Sequence, residues 1–115
     1  REGNYADALD AYRKALNITD RIGDICGKAI ALNNISTVLF LTGNYDKALN
    51  RITESIEIKR KIGHLHGEAI GYGNLGIIHT KKGDFQRAIS NYEKSRRLME
   101  KLGNIPGIAR ACLLY

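Results

Sequence analysis

Apolar residues in this chain recur at helical spacing, and the same spacing returns again and again. Beyond Gly83, residues Phe85, Ala88, Ile89, Tyr92, Met99 and Leu102 fall on one face, with Ser95 small between them. This is the i, i+3, i+4, i+7 pattern of one buried helix face. Tyr45, Ala48, Leu49, Ile52, Ile56 and Ile62 repeat it, as do Tyr5, Ala8, Leu9, Tyr12, Ala15, Leu16 and Ile22. The intervening stretches, Ile25 to Leu41 and Leu65 to Lys81, are also helical but apolar on more than one side. The pattern predicts helices over roughly 4–22, 24–42, 44–62, 64–82, 84–102 and 104–115.

Laid over itself with a shift of forty, the chain aligns Gly3, Gly43 and Gly83; Asn4, Asn44 and Asp84; Tyr5, Tyr45 and Phe85; and Ala8, Ala48 and Ala88. Gly23, Gly63 and Gly103 align as well, followed by Gly27, Gly67 and Gly107 and by Ala29, Ala69 and Ala109. A fixed period of this size marks a repeat architecture. The punctuation has a mechanism. A glycine in the left-handed conformation ends one helix, and the Asn or Asp after it accepts a backbone N–H to start the next. Asp24, His64 and Asn104 follow the second set of glycines, and among them His is the poorer cap. Each unit therefore reads as helix, tight turn, helix, short turn.

The units also carry a family resemblance. Tyr72, Leu75, Gly76, His79, Gly83, Ala88, Tyr92 and Ser95 resemble the tetratricopeptide pattern W-x2-L-G-x2-Y followed by A-x3-F. Leu32, Ile35, Ser36, Leu39, Gly43, Ala48, Ile52 and Ser55 follow it more loosely. The closing Pro is missing, with Glu100 near its place, and the period is forty rather than thirty-four. The chain is thus similar to the longer tetratricopeptide variety of kinesin light chains, GoLoco-binding polarity adaptors and many bacterial regulators. HEAT and armadillo repeats have similar periods but lack the Gly-Asn-Tyr turn and the Asn-Leu-Gly helix.

The resemblance implies an all-α, helical-hairpin solenoid, a right-handed superhelix of about three repeats with truncated ends, in which residues 1–115 are one domain and a fragment of a longer array. It implies a protein-interaction scaffold. The first helix of each unit would line a concave peptide groove carrying Ile30, Asn33, Asn34, Thr37, Phe40 and Leu41, then Ile70, Gly73, Asn74, Ile77, Thr80 and Lys81, then Arg110, Leu113 and Leu114. Asn34 and Asn74 stand where the relatives clamp a ligand backbone, since an amide both donates and accepts. Their alternative use is to bond within the scaffold. Gly73 is expected to leave room for a ligand backbone, and of Phe40 and Leu41 one is expected to show in the groove. Lys81 and Arg110 would favour an acidic ligand. The end helices would lack partners, so Ile108, Cys112 and Tyr115 are expected as apolar surface through which copies associate.

Composition narrows the rest. At 115 residues this is one domain by length. No apolar run approaches the roughly 18 residues that span a membrane, and Arg1-Glu2-Gly3 does not read as a signal peptide. Two cysteines, Cys26 and Cys112, are too few for a disulfide framework and are expected as reduced thiols of a cytoplasmic protein. The net charge of +6 raises the question of nucleic acid. The cations are spread along the chain, however, and Lys59-Arg60-Lys61 and Arg96-Arg97 have no aromatics between them for base stacking. Nucleic-acid binding stays as the third reading, behind peptide binding and self-assembly. Gly71-Tyr72-Gly73-Asn74-Leu75-Gly76 spells G-x-G-x-x-G, but a dinucleotide site needs a strand before it. This stretch lies in mid-helix. His64, His66 and His79 are too few and too scattered for a metal. No nucleophile with a base and an orienting group emerges, so neither catalysis nor a cofactor is expected.

Overall fold

The structure, a computed structural model, describes residues 2–103. Within them run α1 (Glu2–Ile22), α2 (Ile25–Leu41), α3 (Tyr45–Lys61), α4 (Leu65–Lys81) and α5 (Phe85–Gly103), with no strand among the described residues. Each helix packs chiefly against the helices before and after it. The molecule measures 20 Å along its shortest axis, about two helix diameters, so the helices form two layers. The pairs α2–α3 and α4–α5 are successive hairpins, and α1 takes the place of the second helix of a preceding hairpin. The fold is the all-α helical-hairpin solenoid that the forty-residue period implies.

The turns follow from glycine chemistry. Gly23, Gly43, Gly63 and Gly83 have φ of 73°, 84°, 75° and 83°, the left-handed region that an L side chain enters only at a cost. This geometry lets the following N–H reach back five residues: Asn44 N donates to Leu39 O at 2.8 Å, His64 N to Lys59 O at 2.8 Å and Asp84 N to His79 O at 2.9 Å. Such bonds close the helix ends. The next helix then needs its own first N–H groups satisfied. Asp24 accepts from Gly27 N at 2.9 Å and Asp84 from Arg87 N at 3.3 Å. His64, the poorer capping type, nevertheless accepts from Gly67 N through Nδ1 at 3.2 Å. Asn44 departs from the expectation. Its amide donates to Thr42 Oγ1 at 2.9 Å and caps nothing, because a hydroxyl two residues back is within reach.

The core is one cluster: Ile35 and Leu39 of α2, Ala48, Ile52 and Ile56 of α3, and Ile78 of α4, with Leu9, Tyr12 and Leu16 of α1 packed against it. Hydroxyls bind the two helices of each hairpin. Ser55 Oγ donates to Ala29 O at 2.9 Å, and forty residues on Ser95 Oγ donates to Ala69 O at 2.8 Å. Ser36 Oγ adds a bond to Ala48 O at 2.9 Å. Ser55 and Ser95 stand three residues beyond the aromatic position of the pattern, held here by Ile52 and Tyr92, and their hydrogen bonds are made away from water. Glycines in α4 bring helices closer still. A Cβ at Gly71 would lie 2.5 Å from Ile56 Cγ1, and one at Gly76 would lie 2.7 Å from the Tyr92 ring. The G-x-G-x-x-G glycines thus serve packing within a helix.

On α5, Phe85, Ile89, Tyr92 and Met99 form an exposed apolar stripe. Tyr45, Leu49 and Ile52, forty residues earlier, lie in or against the core on the helix that α4 packs upon. No helix among the described residues is long and apolar enough to cross a membrane. Cys26 is disulfide-bonded, which corrects the expectation of a reduced thiol there. Arg110, Leu113 and Leu114 of the expected groove, and Ile108, Cys112 and Tyr115 of the expected interface, lie outside the described residues.

Candidate functional site

The helices α2 and α4 come together over α3, and the gap between them holds an apolar pocket of about 140 Å³. Thr37 and Phe40 form one wall, Asn74 and Ile77 the other. Four of the residues expected in the groove therefore meet at one place. Ile30, Ile70 and Lys81 are exposed on the same two helices, and Asn33 and Asn34 are half-buried. Ile77 is 43% exposed, large for an aliphatic side chain in a chain with a well-formed core.

Of the two candidates in the Phe40-Leu41 pair, Phe40 lines the pocket, while Leu41 is exposed at the helix end. The Phe40 ring also leans on Tyr45, with centroids 5.5 Å apart and planes at 50°, a favourable tilted geometry. The turn aromatic of α3 thereby fixes the pocket wall. Gly73 is half-buried, and the first atom a Cβ there would meet is Ser95 Oγ of α5, at 3.7 Å. Its open side therefore looks toward α5.

The pocket also has a floor, of which the sequence pattern had placed only Ile52 on a buried helix face. Ser36, Ile52 and Ile78 lie at its base, and all three are buried. One signal in the sequence pointed there: Ser36 aligns with Gly76, so both units keep a small residue at this position.

The amides decide what the groove can do. Asn34 and Asn74 make no side-chain hydrogen bond among the described residues, whereas the Asn44 amide is held by Thr42 and the Asn91 amide donates to Arg87 O at 2.8 Å. Within the groove itself, Thr37 Oγ1 donates to Asn33 O at 3.1 Å and Thr80 Oγ1 to Gly76 O at 2.9 Å. The hydroxyls of the two walls are thus turned back onto their own helices. The amides of Asn34 and Asn74 keep their donors and acceptors available at the surface.

The basic residues are organised differently. Arg51 pairs with Glu54, Arg60 with Glu57, Arg87 with Asp84, and Arg96 with both Glu93 and Glu100. Exposed pairs of this kind are worth about 0–1 kcal/mol, but they leave no uniform basic stripe. Burial lowers the pKa of Lys59, so the Lys59-Arg60-Lys61 run is not a freely solvated block. Lys94 sits over the Tyr72 ring at 5.5 Å, and Tyr72 donates to Glu68 Oε2 at 3.0 Å. Burial first, then this bond to Glu68, raises the Tyr72 pKa.

His79 stands in the core, and no group of three or more His, Cys, Asp or Glu among the described residues could hold a metal. Its Nδ1 is buried without a partner. Burial lowers its pKa, with Asp84 opposing and Arg87 and Lys82 assisting. The folded chain therefore binds the His79 proton less readily than the unfolded chain does. Stability is expected to fall as pH drops below the ordinary histidine range, and the loss is complete below the depressed folded value. Urea midpoints at pH 7.5 and 5.5 check this. The difference should shrink in His79→Tyr, and an unchanged difference would remove His79 as its source.

Comparison with known proteins agrees with this geometry. The tetratricopeptide repeat family model matches residues 1–61 and 27–101. No curated protein sequence matches the chain. Among solved structures, the crystal structure of BtubC (BKLC) from P. vanneervenii is similar, with a TM-score of 0.56 at 16% identity. The likeness covers 94% of this chain and 61% of that one, so this chain spans about three fifths of its solved neighbour.

Proposed function

This chain belongs to the tetratricopeptide repeat family, and we propose from that premise that the gap between α2 and α4 holds an extended segment of a partner protein. Tetratricopeptide repeats generally mediate protein–protein interaction and are typically scaffold modules rather than enzymes. The observation that carries the reading is an apolar pocket with Asn74 on its wall, an amide without an internal partner among the described residues, as is Asn34 at the equivalent position of the preceding unit. An extended segment presents a backbone C=O and N–H at every residue. Asn34 and Asn74 bond these groups, while an apolar side chain of the segment enters between Phe40 and Ile77. Ile30 and Ile70 extend the apolar contact, and exposed Lys81 favours an acidic residue on the ligand.

The test is a peptide selected from a random display library against the chain, with its affinity then measured by calorimetry. Asn34→Ala with Asn74→Ala should weaken binding by about 1–3 kcal/mol, two ordinary hydrogen bonds, with only modest salt dependence. An unchanged affinity removes the clamp. A steep loss with salt would point to the third reading, a nucleic-acid-binding surface.

A second reading rests on the exposed stripe of Phe85, Ile89, Tyr92 and Met99 on α5. Large uncovered apolar faces tend to find partners, and a second copy of the chain would cover this one. Sedimentation mass should then rise with concentration and survive the Asn substitutions. A mass of one chain at the highest attainable concentration would end this reading.

A further inference from the structure

The opposite side of the α2 layer carries a larger cleft, of about 420 Å³, between α1 and α3. Its floor is apolar, made of Leu16 of α1 with Ile35 and Leu39 of α2. Its rim is polar and mostly cationic, with Arg13 from α1 and Lys47, Asn50, Arg51 and the carboxylate of Glu54 from α3. Arg51 is engaged by Glu54 at 2.8 Å. Arg13 and Lys47 have no ion-pair or hydrogen-bond partner among the described residues. Arg51, Arg60, Arg87 and Arg96 each pair with a carboxylate one helical turn away, whereas Arg13 does not.

The cleft is not a property of the repeat. Forty residues on, the positions of Arg13, Lys47 and Arg51 are held by Thr53, Arg87 and Asn91. There Arg87 is paired with Asp84 at 3.4 Å and the Asn91 amide bonds within its own helix. The second junction therefore offers no unpaired cation over its apolar layer. Among the described residues, the first junction joins two open positive charges to an apolar floor.

We propose that this cleft binds a small organic anion with a flat or branched apolar body, the acid group meeting Arg13 and Lys47 and the body resting on Leu16, Ile35 and Leu39. The volume lies within the range of small-molecule sites. A planar guanidinium and a neighbouring ammonium suit a carboxylate or phosphate head. The site lies apart from the groove between α2 and α4 and stands or falls independently of it.

The probe is phenyl phosphate, titrated into the isotopically labelled chain and followed by backbone amide shifts. Saturable shifts are expected at Arg13, Lys47 and their neighbours on α1 and α3. The double variant Arg13→Gln, Lys47→Gln should bind roughly tenfold more weakly or worse, a loss of one charge-assisted contact or more. Both positions are exposed, so folding should be kept, and a thermal melt verifies it. Arg97→Gln, on exposed α5 surface, should bind like the parent. Benzyl alcohol, which keeps the ring and lacks the charge, and inorganic phosphate, which keeps the charge and lacks the ring, should each bind at least several-fold more weakly. Absence of saturable shifts overturns the proposal. So does equal binding by inorganic phosphate, which would mean an adventitious ion only, or equal loss in Arg97→Gln, which would mean diffuse charge.

Discussion

Ile52→Ala is expected to lower the unfolding free energy by about 2–5 kcal/mol, the cost of truncating a large core aliphatic. Ile52 is 1% exposed and sits in the cluster that joins α2, α3 and α4. The substitution removes three carbon groups, each worth about 0.8 kcal/mol of burial, and leaves a void that three helices cannot close together. The melting temperature should fall by roughly 10 °C or more, since 1 kcal/mol moves a domain of this size by about 4–8 °C. Ile77→Ala, one wall away on the groove, should cost less than about 1 kcal/mol because the side chain is already 43% exposed. Melts followed by circular dichroism separate the two. Equal costs would mean that floor and wall have been misassigned.

Gly71→Val and Gly73→Ala should move stability in opposite directions, although they are two residues apart on one helix. A Cβ at Gly71 would come within 2.5 Å of Ile56 Cγ1 and 3.1 Å of Cδ1. Cγ1 is not the free end of a flexible chain, and Ile56 is buried. The two helices must part or Ile56 must leave its rotamer, and overpacking of this kind costs about 1–3 kcal/mol. Valine restores only part of glycine's helix penalty, so a net loss near the upper end of that range is expected. At Gly73 the nearest obstacle is Ser95 Oγ, at an ordinary 3.7 Å. Alanine there should stabilise by about 0.5–1 kcal/mol through helix propensity alone. Urea unfolding of both variants beside the parent provides the check, and a stable Gly71→Val would mean that α3 and α4 pack less closely than described.

The turns were legible in the sequence because their demand is local. A left-handed residue at each helix end needs glycine, and the forty-residue spacing repeats that need at Gly23, Gly43, Gly63 and Gly83. The second helices were legible because they bury one face only. The first helices were not. Each packs on both sides, so its apolar residues mark no single direction, and the pattern could not tell the groove side from the hairpin side. That is why Ile52, expected on a buried helix face, also floors the pocket together with Ser36 and Ile78.

Side-chain competition was the other unreadable part. Asn44 and Asp84 occupy the same aligned position, yet Asn44 turns back to Thr42 while Asp84, preceded by Lys82 at the matching place, caps its helix. Whether Asn34 and Asn74 were spent on the scaffold was likewise a question that only the placement of their neighbours could answer. Their equivalence across the repeat was in the sequence, but their lack of internal partners was not.

The most direct measurement of the groove reading follows the side-chain amide resonances of Asn34 and Asn74 while a library-selected peptide is titrated into the labelled chain. Both are expected to shift together with saturation and to gain protection from solvent exchange, while those of Asn44 and Asn91, already bonded within the chain, stay in place. If the peptide binds and the Asn34 and Asn74 amides do not move, the ligand is held elsewhere and the clamp does not exist.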